Sequence, residues 1–387
     1  MADATCAGCG CVCDDIEVTV AEGRLAAVTR TCALGDAWFA ERSGDRPPVA
    51  RVDGRPVSLD EAVDAAAAIL RRARAPLVYG LSQTSCEAQR RAVAVADALG
   101  AVVDPAGGGM TGEAYQAIGA STATFGEIRD RAELVVVWRA DPAVTHPRLL
   151  GRLRVASRPL VVVAATRTAT AEAADAFVEL DDDFEALSEL RALVGDRPLR
   201  TPAPRLADLA QRLRAARHVA FIHGGLDELA TLALFSLVRD LSRERHAVTL
   251  GLRGDGNARG AEDVLAWQTG FPGAVSFARG FPREELGAAA LLERGEVDAA
   301  LVVTYDAFEH LPPAAAERLR GLPMVVVDAR ATATAQAARV AFAPAADGIE
   351  VAGTAHRMDG VPVPLRAPLA ADRPSVEDVL AAIGGRV

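Results

Sequence analysis

Pro76-Leu77-Val78-Tyr79-Gly80, then Cys86–Leu99 closed by Gly100, then Ala101-Val102-Val103-Asp104: this stretch decides how the rest of the chain is read. The first run is apolar and ends in glycine, the pattern of a short strand buried on both faces. Residues 86–99 carry apolar side chains at helical spacing, and Gly100 stands where a left-handed C-cap belongs. Ala101–Asp104 is the next strand. Strand, helix and strand in direct succession form a βαβ unit, which requires the two strands to be parallel.

The same rhythm extends in both directions. Upstream, Leu59–Ala73 has helical spacing, with Ser58 as its cap and Glu61 as a first-turn acid. Downstream, Leu134–Trp138, Leu160–Ala164, Val219–Ile222, Val248–Leu250, Ala300–Thr304 and Met324–Val327 are short β-branched runs with helical segments between most of them. The expected fold class is therefore α/β with parallel sheets, in two lobes because one small sheet cannot hold so many strands. The expected division is a cysteine-rich domain over 1–46, ending at Arg46-Pro47-Pro48, a first lobe over 47–150 completed by 335–387, and a second lobe over 151–334. From about Ala341 the regular alternation stops until a last helix, Ser375–Ile383.

The chain has 387 residues, half of them hydrophobic, ample for several cores. A formal net charge of −10 argues against nucleic acid or an anionic membrane as partner. All 42 cationic residues are arginine, which excludes Schiff-base and P-loop lysines and a lysine general base. Apolar runs such as Leu160–Ala165 are too short to span a bilayer, and no signal-like N-terminal segment is seen; a cytoplasmic location is expected. In that compartment clustered cysteines point to metal rather than to disulfides.

Five of the six cysteines lie in the first 46 residues. Cys6, Cys9 and Cys13 make a C-x2-C-x3-C loop, and Cys32 can close a four-thiolate shell. A glycine-bearing loop lets three sulfurs converge from one segment, as a 4Fe–4S cluster requires, and its amides can hydrogen-bond the sulfides. Structural zinc is the alternative, although it more often uses two C-x2-C pairs; a head without metal is the third reading. Cys11 is the surplus thiol, and strand-like alternation with its neighbours is expected to point it elsewhere. Cys86, at a helix start, reads as a packed thiol.

Cys6-Ala-Gly-Cys9 through Cys13-Asp14-Asp15-Ile16, then Thr31-Cys32-Ala33-Leu34-Gly35, resembles the opening of the B-type subunit of formylmethanofuran dehydrogenases. So do Tyr79-Gly80-Leu81-Ser82, Thr124-Phe125-Gly126-Glu127-Ile128, Trp138 with Asp141-Pro142, His146-Pro147-Arg148, Leu252-Arg253-Gly254, Trp267–Pro272 and Glu350–Pro362. The likeness runs nearly end to end. It implies the molybdopterin-oxidoreductase architecture: an N-terminal cluster domain and two α/β lobes cradling a pterin dinucleotide. It also implies that the pterin-binding C-terminal barrel is a separate subunit rather than part of this chain.

The chain departs from the family at one place. The resemblance implies a cysteine after the strand at Ala101–Asp104, followed directly by histidine, with the thiolate on tungsten or molybdenum. Here the stretch reads Asp104-Pro105-Ala106-Gly107-Gly108-Gly109-Met110-Thr111-Gly112, with neither residue. A methionine thioether is a neutral, weak donor and a poor replacement for thiolate on a high-valent metal. Gly107, Gly108 and Gly109 are either a phosphate cradle for a retained pterin or a plain turn. Arg253 matches an arginine near the family's metal site and is a candidate anion contact; His146 reads as structural.

This pattern of loss resembles the beta subunit of bacterial formyltransferase/hydrolase complexes. Hydrolysis moves no electrons, so that pathway does not need the thiolate. The expected function is a non-redox scaffold subunit of such a complex in one-carbon, methanopterin-dependent metabolism, with A, C and D type subunits as partners and without a tungsto- or molybdopterin of its own. The alternatives are an active dehydrogenase subunit using an oxygen ligand, and an electron-transfer module that keeps only the cluster. None of the six scattered histidines forms a His-x-His pair or a helical Glu/His constellation, so no hydrolytic metal site is expected in this chain.

Overall fold

The computed structural model describes residues 4–44, 46–106, 113–201, 203–254 and 256–387. The chain divides into two compact units, one of Met1–Gly108 with Gly254–Val387 and one of Gly109–Arg253.

The larger unit opens with the cysteine head, strands β1 (Ala4–Cys6), β2 (Cys13–Ala21) and β3 (Arg24–Thr29) in an antiparallel sheet, followed by helix Ala33–Ser43. Then come β4 (Ala50–Val52), β5 (Arg55–Pro56), β6 (Pro76–Gly80) and β7 (Val102–Asp104). The smaller unit contributes β8 (Leu134–Trp138), β9 (Leu160–Ala164), β10 (Ala176–Glu179), β11 (His218–His223) and β12 (His246–Gly251). The chain returns to the larger unit with β13 (Val275–Ser276), β14 (Arg283–Glu284), β15 (Ala299–Val303), β16 (Met324–Val327), β17 (Val340–Phe342) and the hairpin of β18 (Gly353–His356) and β19 (Pro362–Leu365).

The large sheet has the order β14-β13-β7-β6-β15-β16-β17-β4-β5. Its middle, β7 to β17, is parallel, and the strands flanking it are antiparallel. Successive strand residues face opposite sides, as the two-residue repeat demands. Val78, Leu301, Val303 and Val325 enter one core and Leu77, Ala300, Val302 and Met324 the other. The small sheet, β10-β9-β8-β11-β12, is wholly parallel. Among its covers are helices Asp183–Val194, Pro204–Ala215 and Glu228–Leu241, whose leucines pack on Val136, Trp138 and Phe221.

Local readings and observed elements agree closely. Helix Leu59–Arg72 starts on Ser58, whose hydroxyl accepts from Glu61 N at 3.2 Å, and helix Cys86–Leu99 ends on Gly100 at φ 62°. Pro76–Gly80, Leu134–Trp138, Leu160–Ala164 and Met324–Val327 are strands over those same residues. The lobe boundaries differ. β8 lies in the small unit, whereas β15 and β16 pair beside β6, so the chain changes unit near 108 and 253 rather than at 150 and 334. The reason is physical: buried parallel strands look alike locally, and which strand pairs with which depends on long crossovers. No helix among the described residues is long and apolar enough to cross a membrane.

Each parallel sheet has a switch point where successive strands are added on opposite sides: β6/β15 in the large sheet, β8/β11 in the small one. Crevices outside the carboxyl ends at such points are where open α/β sheets bind ligands. The backbone is unusual there. Leu81 (φ 76°), Thr304 (φ 49°) and Arg139 (φ 50°) all sit in the left-handed region just past these strands.

Candidate functional site

The head is built around sulfur. β1 and β2 pair with Cys6 opposite Cys13, across an irregularity in the register. Between them the chain turns tightly: Val12 N donates to Cys9 O at 3.1 Å, and Val12 has φ 36°. Cys32 is the N-cap of helix Ala33–Ser43, in extended conformation and without a side-chain cap bond. Gly35 in that helix leaves room for Cys6, whose Sγ would lie 3.0 Å from a β-carbon placed there. Gly8 N donates to Cys6 Sγ at 3.4 Å.

Burial pushes the Cys6 thiol up to about 12; the Gly8 amide opposes this, while the nearby sulfurs of Cys13, Cys9 and Cys32 add to it. The turn, the start of β2 and the helix N-cap thus bring Cys6, Cys9, Cys13 and Cys32 into one electrostatic neighbourhood. Buried thiols resist ionising alone, and a cation that holds them as thiolates removes that penalty. Cys6 and Cys13 are buried and Cys9 and Cys32 half-buried, and the four sulfurs together form a donor set suited to a thiophilic centre, with the Gly8 amide on Cys6 Sγ like the amides that hydrogen-bond cluster sulfurs.

Cys11 does not point elsewhere. It is 1% exposed and raised in pKa by hydrogen bonding to Cys13 first and Cys9 second, with burial adding to the effect. Alternation holds only in a strand, and residues around Cys11 form a turn. Cys86 is buried as expected, with its thiol pushed up to about 11 by burial and the Asn257 amide donating to it at 3.6 Å.

The loop after β6 continues from the head. Gln83 Oε1 accepts from Trp38 Nε1 at 3.1 Å and Arg42 at 3.0 Å, tying the head's helix to the switch point. Gly256 lies so close to the Ala7 carbonyl that no side chain fits there. Thr84 donates to Asp347, which also accepts from Ser85 N at 2.9 Å, and burial holds the Asp347 carboxyl above its usual range. Asn257 binds the loop through Ser82 O and Thr84 O, each at 2.7 Å. Glu87 receives Thr354 N at 2.9 Å and Thr354 Oγ1 at 3.0 Å. The polar groups of this edge largely satisfy one another.

Beyond β7, Asp104 accepts from Ala106 N at 3.0 Å and from Ala288 N at 2.6 Å, and burial raises its carboxyl. Gly107, Gly108 and Gly109 lie outside the described residues. Arg253 follows β12 in the small unit and is buried. Beside it, the His223 imidazole is pushed down to about 4, first by burial and then by the Arg253 charge. His146 Nε2 donates to the Arg253 carbonyl at 2.7 Å, so His146 holds the segment carrying Arg253 rather than presenting a free ring nitrogen there.

One grouping escaped sequence reasoning. Glu127, His218 and His246 each place a donor atom within 4.8 Å of the others, contrary to the expectation of scattered histidines. The signal was present: Arg217-His218-Val219-Ala220 and Arg245-His246-Ala247-Val248 both set a histidine before a buried run. Only strand pairing shows that the two are neighbours.

No family model matches the chain. It is 31% identical over 93% of its length to the B-type subunit of tungsten-containing formylmethanofuran dehydrogenase 2 of Methanocaldococcus jannaschii, covering 92% of that protein. The chain belongs to the family of formylmethanofuran dehydrogenase B-type subunits. The Methanococcus maripaludis protein of the same description is 30% identical over 96% of the chain and 95% of its own length. The B-type subunit of the formyltransferase/hydrolase complex Fhc of Methylorubrum extorquens is 30% identical over 65% of the chain and 73% of that protein. In structure, this member of the formylmethanofuran dehydrogenase family resembles a chain from the crystal structure of the Methylorubrum extorquens complex FhcABCD with methylofuran. The TM-score is 0.73 at 26% identity, over 87% of this chain and 98% of that one.

Proposed function

We propose that this chain is the B-type subunit of a formyltransferase/hydrolase complex of one-carbon metabolism, a non-redox structural subunit on a molybdopterin-oxidoreductase-like frame. Its partners are A, C and D type subunits, including a separate barrel-type subunit, in the cytoplasm, on a methanopterin-dependent route. Cys6, Cys9, Cys13 and Cys32 hold a 4Fe–4S cluster, which supplies electron-transfer or structural chemistry when bound. The carrying observation is the stretch Asp104–Gly112, which offers no thiolate and no imidazole after β7. The one carboxylate there, Asp104, is spent on two backbone amides, which weighs against an oxygen ligand in the thiolate's place.

The second reading, an active tungsten or molybdenum subunit, draws on the two tungsten-containing relatives, which match nearly the whole chain. Elemental analysis of the complex purified without oxygen from its own host separates the two. The structural-subunit reading expects about four iron atoms per chain and tungsten and molybdenum far below one. Tungsten or molybdenum at one per chain, retained through gel filtration, refutes it.

A further inference from the structure

The geometry points to a divalent transition-metal site formed by Glu127, His218 and His246 at the amino ends of β11 and β12, with Zn2+ as the ion it fits best. The proposal stands independently of the role in a complex. His218 and His246 are direct partners in the register of two parallel strands, so their side chains leave the same face of the sheet at adjacent positions. The rings meet edge to face with centroids 4.4 Å apart. Glu127, in the first turn of helix Phe125–Arg131, brings a carboxylate oxygen to 2.9 Å from His246 Nε2. Two imidazoles and one carboxylate, with donor atoms all within 4.8 Å, are a donor set for zinc that leaves a coordination position for water.

A second observation separates this trio from an ordinary surface ion pair. His218 is 6% exposed, and its Nε2 is buried with no hydrogen-bond partner. A buried polar atom left unpaired is costly, and such atoms often mark an ion or water site. The other two donors are accessible, with side-chain exposures of 29% for Glu127 and 55% for His246, so an ion can reach the site from solvent. Nearby charges leave the trio's own carboxylate as its main counter-charge. Glu133 is paired with Arg217, while Arg131 lies close enough to act on His218. An ion here would pin helix Phe125–Arg131 to the ends of β11 and β12.

Cobalt(II) titration of the full chain, with the cysteines present, tests this. Cobalt on thiolates gives intense sulfur-to-metal charge-transfer bands, whereas cobalt on nitrogen and oxygen gives weak d–d bands alone. The wild-type protein is expected to bind one equivalent of the second kind, displaced by Zn2+. His246→Gln and Glu127→Gln, both at accessible positions, are expected to weaken that equivalent by at least roughly 100-fold, more than loss of an outer partner costs, while leaving the charge-transfer bands unchanged. Zn2+ should also raise the Tm of the wild-type chain more than that of either variant. Equal titration of the weak-band equivalent in the wild type and both variants, or no such equivalent in the wild type, overturns the site.

Discussion

The cysteine head and the carboxyl edges of the two parallel sheets are both rich in polar and ionisable groups, but the groups are used differently. In the head, thiols face thiols: Cys11 bonds to Cys13 and Cys9, and Cys6 lies near Cys13, Cys9 and Cys32. At the edges, donors are turned inward on the protein. Asp347 holds Thr84 and Ser85, Asn257 holds Ser82 and Thr84, Asp104 holds Ala106 and Ala288, and His146 holds Arg253. Retained side chains therefore do not by themselves mark a working site. What matters is whether their donor atoms converge on one another or on the backbone.

The sharpest break of that contrast is Cys32→Ser. Serine is a good N-cap and cysteine makes no cap bond here, so the helix should keep its start while the proposed shell loses one thiolate. For the proposed cluster, less iron per chain or an altered reduced electron paramagnetic resonance signal is expected, with an unchanged circular dichroism spectrum; iron and signal both identical to the wild type would show that Cys32 is no ligand. Gly80→Ala acts on the edge instead. Gly80 has φ 111°, and a β-carbon there would lie 2.5 Å from Val303 O and 2.7 Å from Tyr305 Cβ. Strain and overpacking together should cost about 3 kcal/mol or more in urea denaturation.

His223 gives the edge a pH signature. Its folded value of about 4 lies below the ordinary 6.5, so the unfolded chain takes up a proton that the buried ring refuses. Its neutral form supports full stability above 6.5, and stability falls as pH drops from there toward 4, by roughly 3 kcal/mol in all. His223→Gln should flatten that part of the profile of unfolding free energy against pH. Smaller still is Asp104→Ala, which strips the acceptor from two backbone amides and should cost about 1–3 kcal/mol. Iron content should not change, because Asp104 belongs to the edge; a fall in iron would join the two regions that are contrasted here.

The sequence by itself determined the elements and the cysteine spacing of the head. Buried β-branched runs, the Ser58 cap and the Gly100 stop are local signals, because the free energy of a cap, a left-handed glycine or an apolar run depends mainly on near neighbours in the chain. The C-x2-C-x3-C spacing is local in the same sense, and so is the missing thiol after Asp104. Tertiary structure alone decided the rest. β8 went to one sheet and β15 to the other, Cys11 stayed with its neighbours because a turn replaced the strand, and His218 met His246 through a strand pairing that spans 28 residues of sequence. Each of those outcomes depends on contacts between distant segments, whose energy appears only once the whole sheet has formed.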